Sequence, residues 1–214
     1  MRRGVLPNHA QRDRAEGEHM EKGRLEAFTD GVIAVVITVM VLELHVPAAA
    51  SWAALLEDGT VFLSYILSFV YVGIYWTNHH HLFQLVRRVN GTVLWANLFF
   101  LFCLSLFPFS TAWLNKAQPG PAAVPTVLYG VTLLLTALSW GLLARVLTAA
   151  NGGEDSELRK VLGADRKTPG SIVIHVAATA IAFRQPVVSC VLYAVVAAMW
   201  FIPDRRIEQR LGSR

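Results

Sequence analysis

The stretch RLEAFTDGVIAVVITVMVL, Arg24 to Leu42, decides how the chain is read. A cation, a hydroxyl and a carboxylate (Arg24, Thr29, Asp30) stand at the entrance to a run that is apolar from Val32 to Leu42 except for Thr38. Such a run reads as a membrane helix. An ionisable residue inside a membrane segment is costly, so by default it marks function or a buried partner. An unpaired carboxylate at depth costs about 2.5–3.5 kcal/mol on insertion scales. Asp30 is therefore expected to have a partner, and a plain anchor helix would need neither Asp30 nor Thr38.

The rest of the chain repeats the apolar theme. Its 214 residues are 54% hydrophobic and 16% charged, whereas soluble domains average about 45–50% and about 25%. The excess falls in blocks at 25–46, 61–83, 92–114, 124–149, 169–184 and 187–202. The fold expected is all-α: a polytopic membrane protein with six transmembrane helices. The last two blocks are short and are parted by Arg184-Gln185-Pro186, and we read them as two crossings. Residues 1–23 read as a disordered basic cytoplasmic lead without the apolar core of a signal peptide. Residues 24–203 form the membrane domain and 204–214 a basic tail.

Charge sets the expected orientation. All but two of the 19 Lys and Arg fall before the first block, between the second and third, around the fourth-to-fifth loop, or in the tail; the two are Lys116 and Arg184. Positive loops stay inside, so both termini are expected in the cytoplasm of a cell, as a multi-pass protein of its plasma membrane. The net charge of +4 is then a product of topology. A nucleic-acid partner is not expected, because the basic residues are spread over four loops with no aromatic-interleaved patch.

At about 100° per residue, Val35, Val39 and Leu42 share one line, Thr38 sits beside it, and Asp30 points about 140° away from Val35. One face thus meets something tolerant of Val, Leu and a hydroxyl, or else is ordinary packing, with Thr38 bonded to its own helix. The other face meets polar partners. The second block ends Tyr75-Trp76-Thr77-Asn78-His79-His80-His81. Three consecutive histidines spread over about 200° and cannot close on one metal, which wants i, i+4 spacing. No metal or cofactor is expected. Asn78 and one histidine are read instead as donors to Asp30, with Arg24 completing an interhelix network. In the third block Pro108 should kink the helix, with Ser110 and Thr111 serving the freed backbone groups. Cys103 and Cys190 are isolated and read as packing residues.

These residues together resemble a family. Arg24-x-x-x-Phe28-Thr29-Asp30 is similar to the Arg-x-x-x-Phe-Ser-Asp signature of the transmembrane protein 175 family of potassium channels. Trp76-x-Asn78-His79-His80 and Pro108-Phe109-Ser110-Thr111 resemble the same family, over about residues 22–203. Thr29 stands where the signature has serine and keeps the hydroxyl. The resemblance implies six helices per chain, both termini cytoplasmic, and a homotetramer in which the first helix of each subunit lines a central pore. It implies potassium as the permeating ion and no carbonyl-lined selectivity-filter loop. Val35, Val39 and Leu42 match the family's apolar constriction and Thr38 its selectivity threonine; Val35 stands where a larger Ile or Leu is usual. Phe28, Thr29, Trp76, His79 and His80 belong to the signature motif and its interhelix network.

Three other readings compete. A small secondary transporter would show an inverted repeat and a broken midplane helix, and the sequence has no repeat. A proton-leak pathway remains compatible with the pattern. A membrane enzyme would need a nucleophile and base, and Asp30 with His79 to His81 supplies no such pair.

Overall fold

The computed structural model describes residues 9–116, 120–162 and 167–201, with side chains from residue 21 onward except those of 154, 157, 161, 167 and 201. Residues 1–8 of the expected lead and the tail at 204–214 lie outside the described residues. Among the described residues all regular structure is helical. The helices are α1 (His9–Leu42), α2 (Trp52–Glu57), α3 (Gly59–Leu85), α4 (Gly91–Ser105), α5 (Phe107–Lys116), α6 (Ala123–Ala150), α7 (Glu157–Leu162), α8 (Lys167–Ile181) and α9 (Pro186–Phe201).

Four stretches are long and apolar enough to cross a membrane: residues 21–42, 59–85, 91–116 and 123–150. They coincide with the first four expected blocks. Two differences lie outside them. The backbone is already helical from His9, where composition reads as disordered. The polar loop after Asn151 carries a 3₁₀ turn (Gly153–Asp155) and α7. The outer connection also holds α2, whose first turn is capped by Ser51 Oγ accepting from the Ala54 N–H at 3.2 Å.

The third stretch is two consecutive helices, α4 and α5, separated at Leu106. Pro108 has no N–H to donate to the carbonyl four residues back, so α4 closes with a tighter bond, Leu106 N–H to Cys103 O at 3.3 Å. The α5 ladder resumes with Ser110 N–H to Leu106 O at 3.0 Å. Ser110 Oγ donates to Phe107 O at 3.2 Å, a local back-bond; the carbonyl that Pro108 deprives of its donor is that of Leu104. Asn90 starts α4 by accepting from the Val93 N–H at 2.9 Å.

The last two blocks form separate helices. α8 and α9 fold back on each other as an antiparallel hairpin, fixed by Ser189 Oγ donating to Ala178 O at 2.6 Å and Trp200 Nε1 donating to Ser171 Oγ at 2.7 Å. At about 1.5 Å per residue each is only about 22–24 Å long, short of an apolar core of about 30 Å.

α6 is the hub of the bundle and packs against α4, α5, α8 and α9. Its Gly130 is a packing requirement. A Cβ there would collide with the Tyr193 hydroxyl of α9 and Thr179 Oγ1 of α8. Around this contact Phe100, Phe107, Tyr129, Leu133 and Tyr193 are fully buried. At the C-terminal end of α6, Asn151 clamps the α3–α4 loop. Its Oδ1 accepts from the N–H groups of Arg87 and Arg88, both at 2.8 Å, and its Nδ2 donates to Arg88 O at 3.0 Å. Gly152 and Gly153 then turn the chain with φ of 108° and 64°, values that favour glycine. α1 sits at the edge of the bundle, against α3, α4 and α5.

Candidate functional site

α1 carries two stripes. Leu25, Thr29, Ile33, Val36 and Met40, spaced by three or four residues, are buried in the bundle. Turned away from them, Val35, Val39 and Leu42 are 59%, 38% and 80% exposed. The apolar line read from the sequence is therefore not what holds α1 to its own subunit. Thr38 lies on the same exposed side and donates its hydroxyl to Val35 O at 2.9 Å, the local back-bond a threonine makes on a helix. Val35 and Val39 also wall a groove of about 700 Å³ shared with Pro108, Phe109 and Trp113 of α5. Glu43 and Lys116 stand at the same groove.

The polar end of α1 is tied down in two places. Thr29, fully buried, accepts from Asn97 Nδ2 at 2.8 Å, and Asn97 Oδ1 lies 3.1 Å from His79 Nε2. Asn97 accepts at Oδ1, so Nε2 of His79 carries the hydrogen. One asparagine on α4 thus joins α1 to α3. His79 also stacks on Phe83, with ring centroids 4.1 Å apart. Separately, Trp76 Nε1 donates to Asp30 Oδ1 at 2.8 Å. The Trp76 ring stacks on His80, and His80 bonds Gln84 at 3.1 Å. Asp30, Trp76 and His80 are all exposed on the subunit surface.

This arrangement corrects the expected partner set. The donor to Asp30 is Trp76, and no hydrogen bond joins the carboxylate to Asn78, His79 or Arg24. Helix geometry is the reason. Asn78 is two residues beyond Trp76, about 200° round the helix, and it lines a cavity on the far side of α3 with Tyr71 and Trp140. His79 turns inward to Asn97. Arg24 and Phe28 are exposed, and no hydrogen bond or ion pair of theirs is found among the described residues. Asn97 is the residue that the reading missed. A carboxamide in the middle of an otherwise apolar block was the available signal, because such groups inside a membrane segment need a partner.

A further hydroxyl cluster lies deeper between α3, α5 and α6. Ser68 Oγ is 2.7 Å from Thr111 Oγ1 and 3.0 Å from Tyr129 OH, and Ser64 Oγ bonds Asn115 Oδ1. Thr111 therefore serves a neighbouring helix rather than the backbone freed by Pro108. Among the described residues no group of three His, Cys, Asp or Glu could hold a metal ion.

Similarity to known proteins gives this site its context. Residues 24–108 match the family described as "Endosomal/lysosomal potassium channel TMEM175". A Chryseobacterium protein named as a potassium channel is 47% identical over 192 residues, covering 90% of this chain and 98% of that protein. The chain belongs to the TMEM175 family. A second TMEM175 relative, from Chamaesiphon minutus and also named as a potassium channel, is 29% identical over 85% of this chain and 96% of its own. The crystal structure of a lysosomal potassium-selective channel TMEM175 homolog from Chamaesiphon minutus superposes with a TM-score of 0.76 at 27% identity, covering 86% of this chain and 97% of that one. The human relative, named as an endosomal/lysosomal proton channel, is 40% identical over 34% of this chain and 17% of that longer protein. With several helices apolar enough to cross, this TMEM175 member is a multi-pass membrane protein.

Proposed function

We propose that the chain is a potassium-conducting channel in which four copies surround a central pore lined by α1. The observation that carries this reading is the exposed apolar stripe of Val35, Val39 and Leu42. It is left exposed by the described residues of its own subunit, on the helix that begins the stretch matched by the family model. Four copies of that stripe would form an apolar constriction able to gate by dewetting. Thr38, on the same face, would bias the pore toward potassium. No cofactor is needed; the permeating K⁺ is the cargo.

On this reading the subunit crosses the plasma membrane six times. α8 and α9 span a locally thinned bilayer, and both termini are cytoplasmic. Residues 24–203 are the channel domain, flanked by the lead and the basic tail. The Trp76–Asp30 bond and the Thr29–Asn97–His79 chain hold α1 at a fixed angle, so that the stripe faces the axis. Arg24 and Phe28, exposed among the described residues, would bind the neighbouring subunit.

Proton permeation is the second reading, supported by relatives named as proton channels. Planar-bilayer recording tests both. Val35→Phe adds bulk four times in one ring and should abolish or strongly reduce current. Thr38→Val removes four hydroxyls at nearly constant shape and should shift the reversal potential in a potassium/sodium gradient toward zero. A reversal potential that follows the proton gradient instead favours the second reading. If Val35→Phe conducts as wild type and Thr38→Val leaves the reversal potential unmoved, α1 does not line the pore.

A further inference from the structure

Far from the α1 stripe, a cavity lies between α3, α6, α8 and α9, with about 20 Å³ wide enough to centre a water molecule. A water needs roughly 10–15 Å³ of such space and two or more polar partners. The walls are largely aromatic, from Tyr71, Tyr75, Trp140 and Trp200, with Asn78 and His175 among the polar groups.

His175 is 1% exposed, and its hydrogen-bond geometry fixes its tautomer. The Tyr71 hydroxyl donates to Tyr193 O at 2.6 Å. Its oxygen must then accept in its second contact, 3.1 Å from His175 Nε2. Nε2 therefore carries the hydrogen, and Nδ1 is a bare acceptor. Among the described residues Nδ1 is the one buried side-chain nitrogen or oxygen without a hydrogen-bond partner. Leaving such an atom unpaired in a buried site is destabilising. The group that wants a donor thus belongs to a residue lining a space that admits one.

We propose that this cavity is a proton-binding site inside each subunit. Water in it donates to Nδ1 of His175, and in acid that nitrogen takes a second proton and loosens the α8–α9 hairpin from α3. The proton adds to the Nδ1 lone pair, and the product is an imidazolium carrying one positive charge. Among the described residues lining the cavity none carries a charge to pair with it. The groups facing the cavity are Tyr71, Tyr75 and Asn78 from α3, Trp140 from α6, and Thr168 and Ser171 from α8 itself; α9 adds Trp200, and its Tyr193 ring packs beside the imidazole. No carboxylate, lysine or arginine lines it among the described residues. A buried charge without a counter-ion is destabilising unless the site opens to water. The elements that must part are the ones His175 helps to join, namely α8 to Tyr71 of α3, whose hydroxyl also holds the α9 backbone at Tyr193. Tyr71 lies on the same helix as Trp76, the donor to Asp30 of α1. A change at the hairpin can therefore reach the α1 face. The site itself does not depend on the conduction reading.

The test uses the full chain, ¹⁵N-labelled at histidine, in lipid nanodiscs between about pH 8 and about pH 3, which extends below the range in which histidine ordinarily titrates because the cavity offers an imidazolium no counter-ion. The imidazole absent from His175→Gln should show hydrogen on Nε2 alone at the upper end and on both nitrogens at the lower end. Amide exchange in α8 and α9, corrected for the intrinsic pH effect, should rise about tenfold relative to α6 in wild type and stay level in His175→Gln. Should that variant not fold, Tyr71→Phe assigns the signal by removing the acceptor of Nε2. A His175 imidazole carrying hydrogen on Nδ1 alone overturns the proposal. So does α8–α9 exchange in wild type that does not change with pH.

Discussion

Asn97→Leu removes the one side chain that joins α1 to α3 through α4, at nearly constant volume. It takes from Thr29 Oγ1 a donor at 2.8 Å and from His79 Nε2 an acceptor at 3.1 Å, both fully shielded from solvent. Interhelical hydrogen bonds in membrane bundles average about 0.6 kcal/mol and reach about 1.7. Two of them give about 1–3.5 kcal/mol. The larger share falls on His79, whose buried N–H loses its acceptor, because the Thr29 hydroxyl can still donate to a carbonyl of its own helix. At about 2–4 °C per kcal/mol for a chain of this size, the thermal midpoint in detergent, followed by size-exclusion peak height, should fall by about 2–14 °C. Asn78→Leu, which breaks no hydrogen bond described in the subunit, should fall much less. Combining Thr29→Val with Asn97→Leu should cost less than the sum of the two, because both remove the same bond. An unmoved midpoint for Asn97→Leu, or an equal fall for Asn78→Leu, refutes the assignment of Asn97 as the tie.

Three more predictions rest on single contacts. Gly130→Ala puts a Cβ against the Tyr193 hydroxyl and Thr179 Oγ1, so α9 must shift; a loss of about 1–3 kcal/mol should appear as a lower midpoint, and an unchanged one would mean that the helices are not this close. Asp30→Asn keeps an oxygen to accept from Trp76 and should retain assembly on size exclusion, while Asp30→Ala should lose the assembly or its current; equal behaviour of the two would show that the acceptor is unimportant. Reporter fusions after Arg214 and within residues 151–168 should both report cytoplasm, and opposite sides would remove the six-crossing topology.

Much of this molecule is determined by one-dimensional pattern. The four long apolar blocks become helices where composition says, because in lipid a segment must satisfy its backbone bonds internally. Pro108 breaks the third block because the missing N–H is a local property. The exposed stripe of α1 was also legible, since the positions of Val35, Val39 and Leu42 relative to Asp30 follow from about 100° per residue; the buried line of Leu25, Ile33, Val36 and Met40 was not read. Pairing across helices was not legible in this way. Periodicity gives the direction in which Asp30, Asn78 and His79 point along their own axes, but not the rotation or depth at which α3 and α4 approach α1. Only the packed bundle turned Trp76 to Asp30 and Asn78 to the cavity, and set Asn97 between Thr29 and His79. The same is true of His175, an unremarkable histidine in an apolar run until Tyr71 spends its hydrogen on Tyr193 and leaves one imidazole nitrogen bare. Hydrogen-bond partnership depends on a few tenths of an ångström between chains distant in sequence, which tertiary packing alone decides.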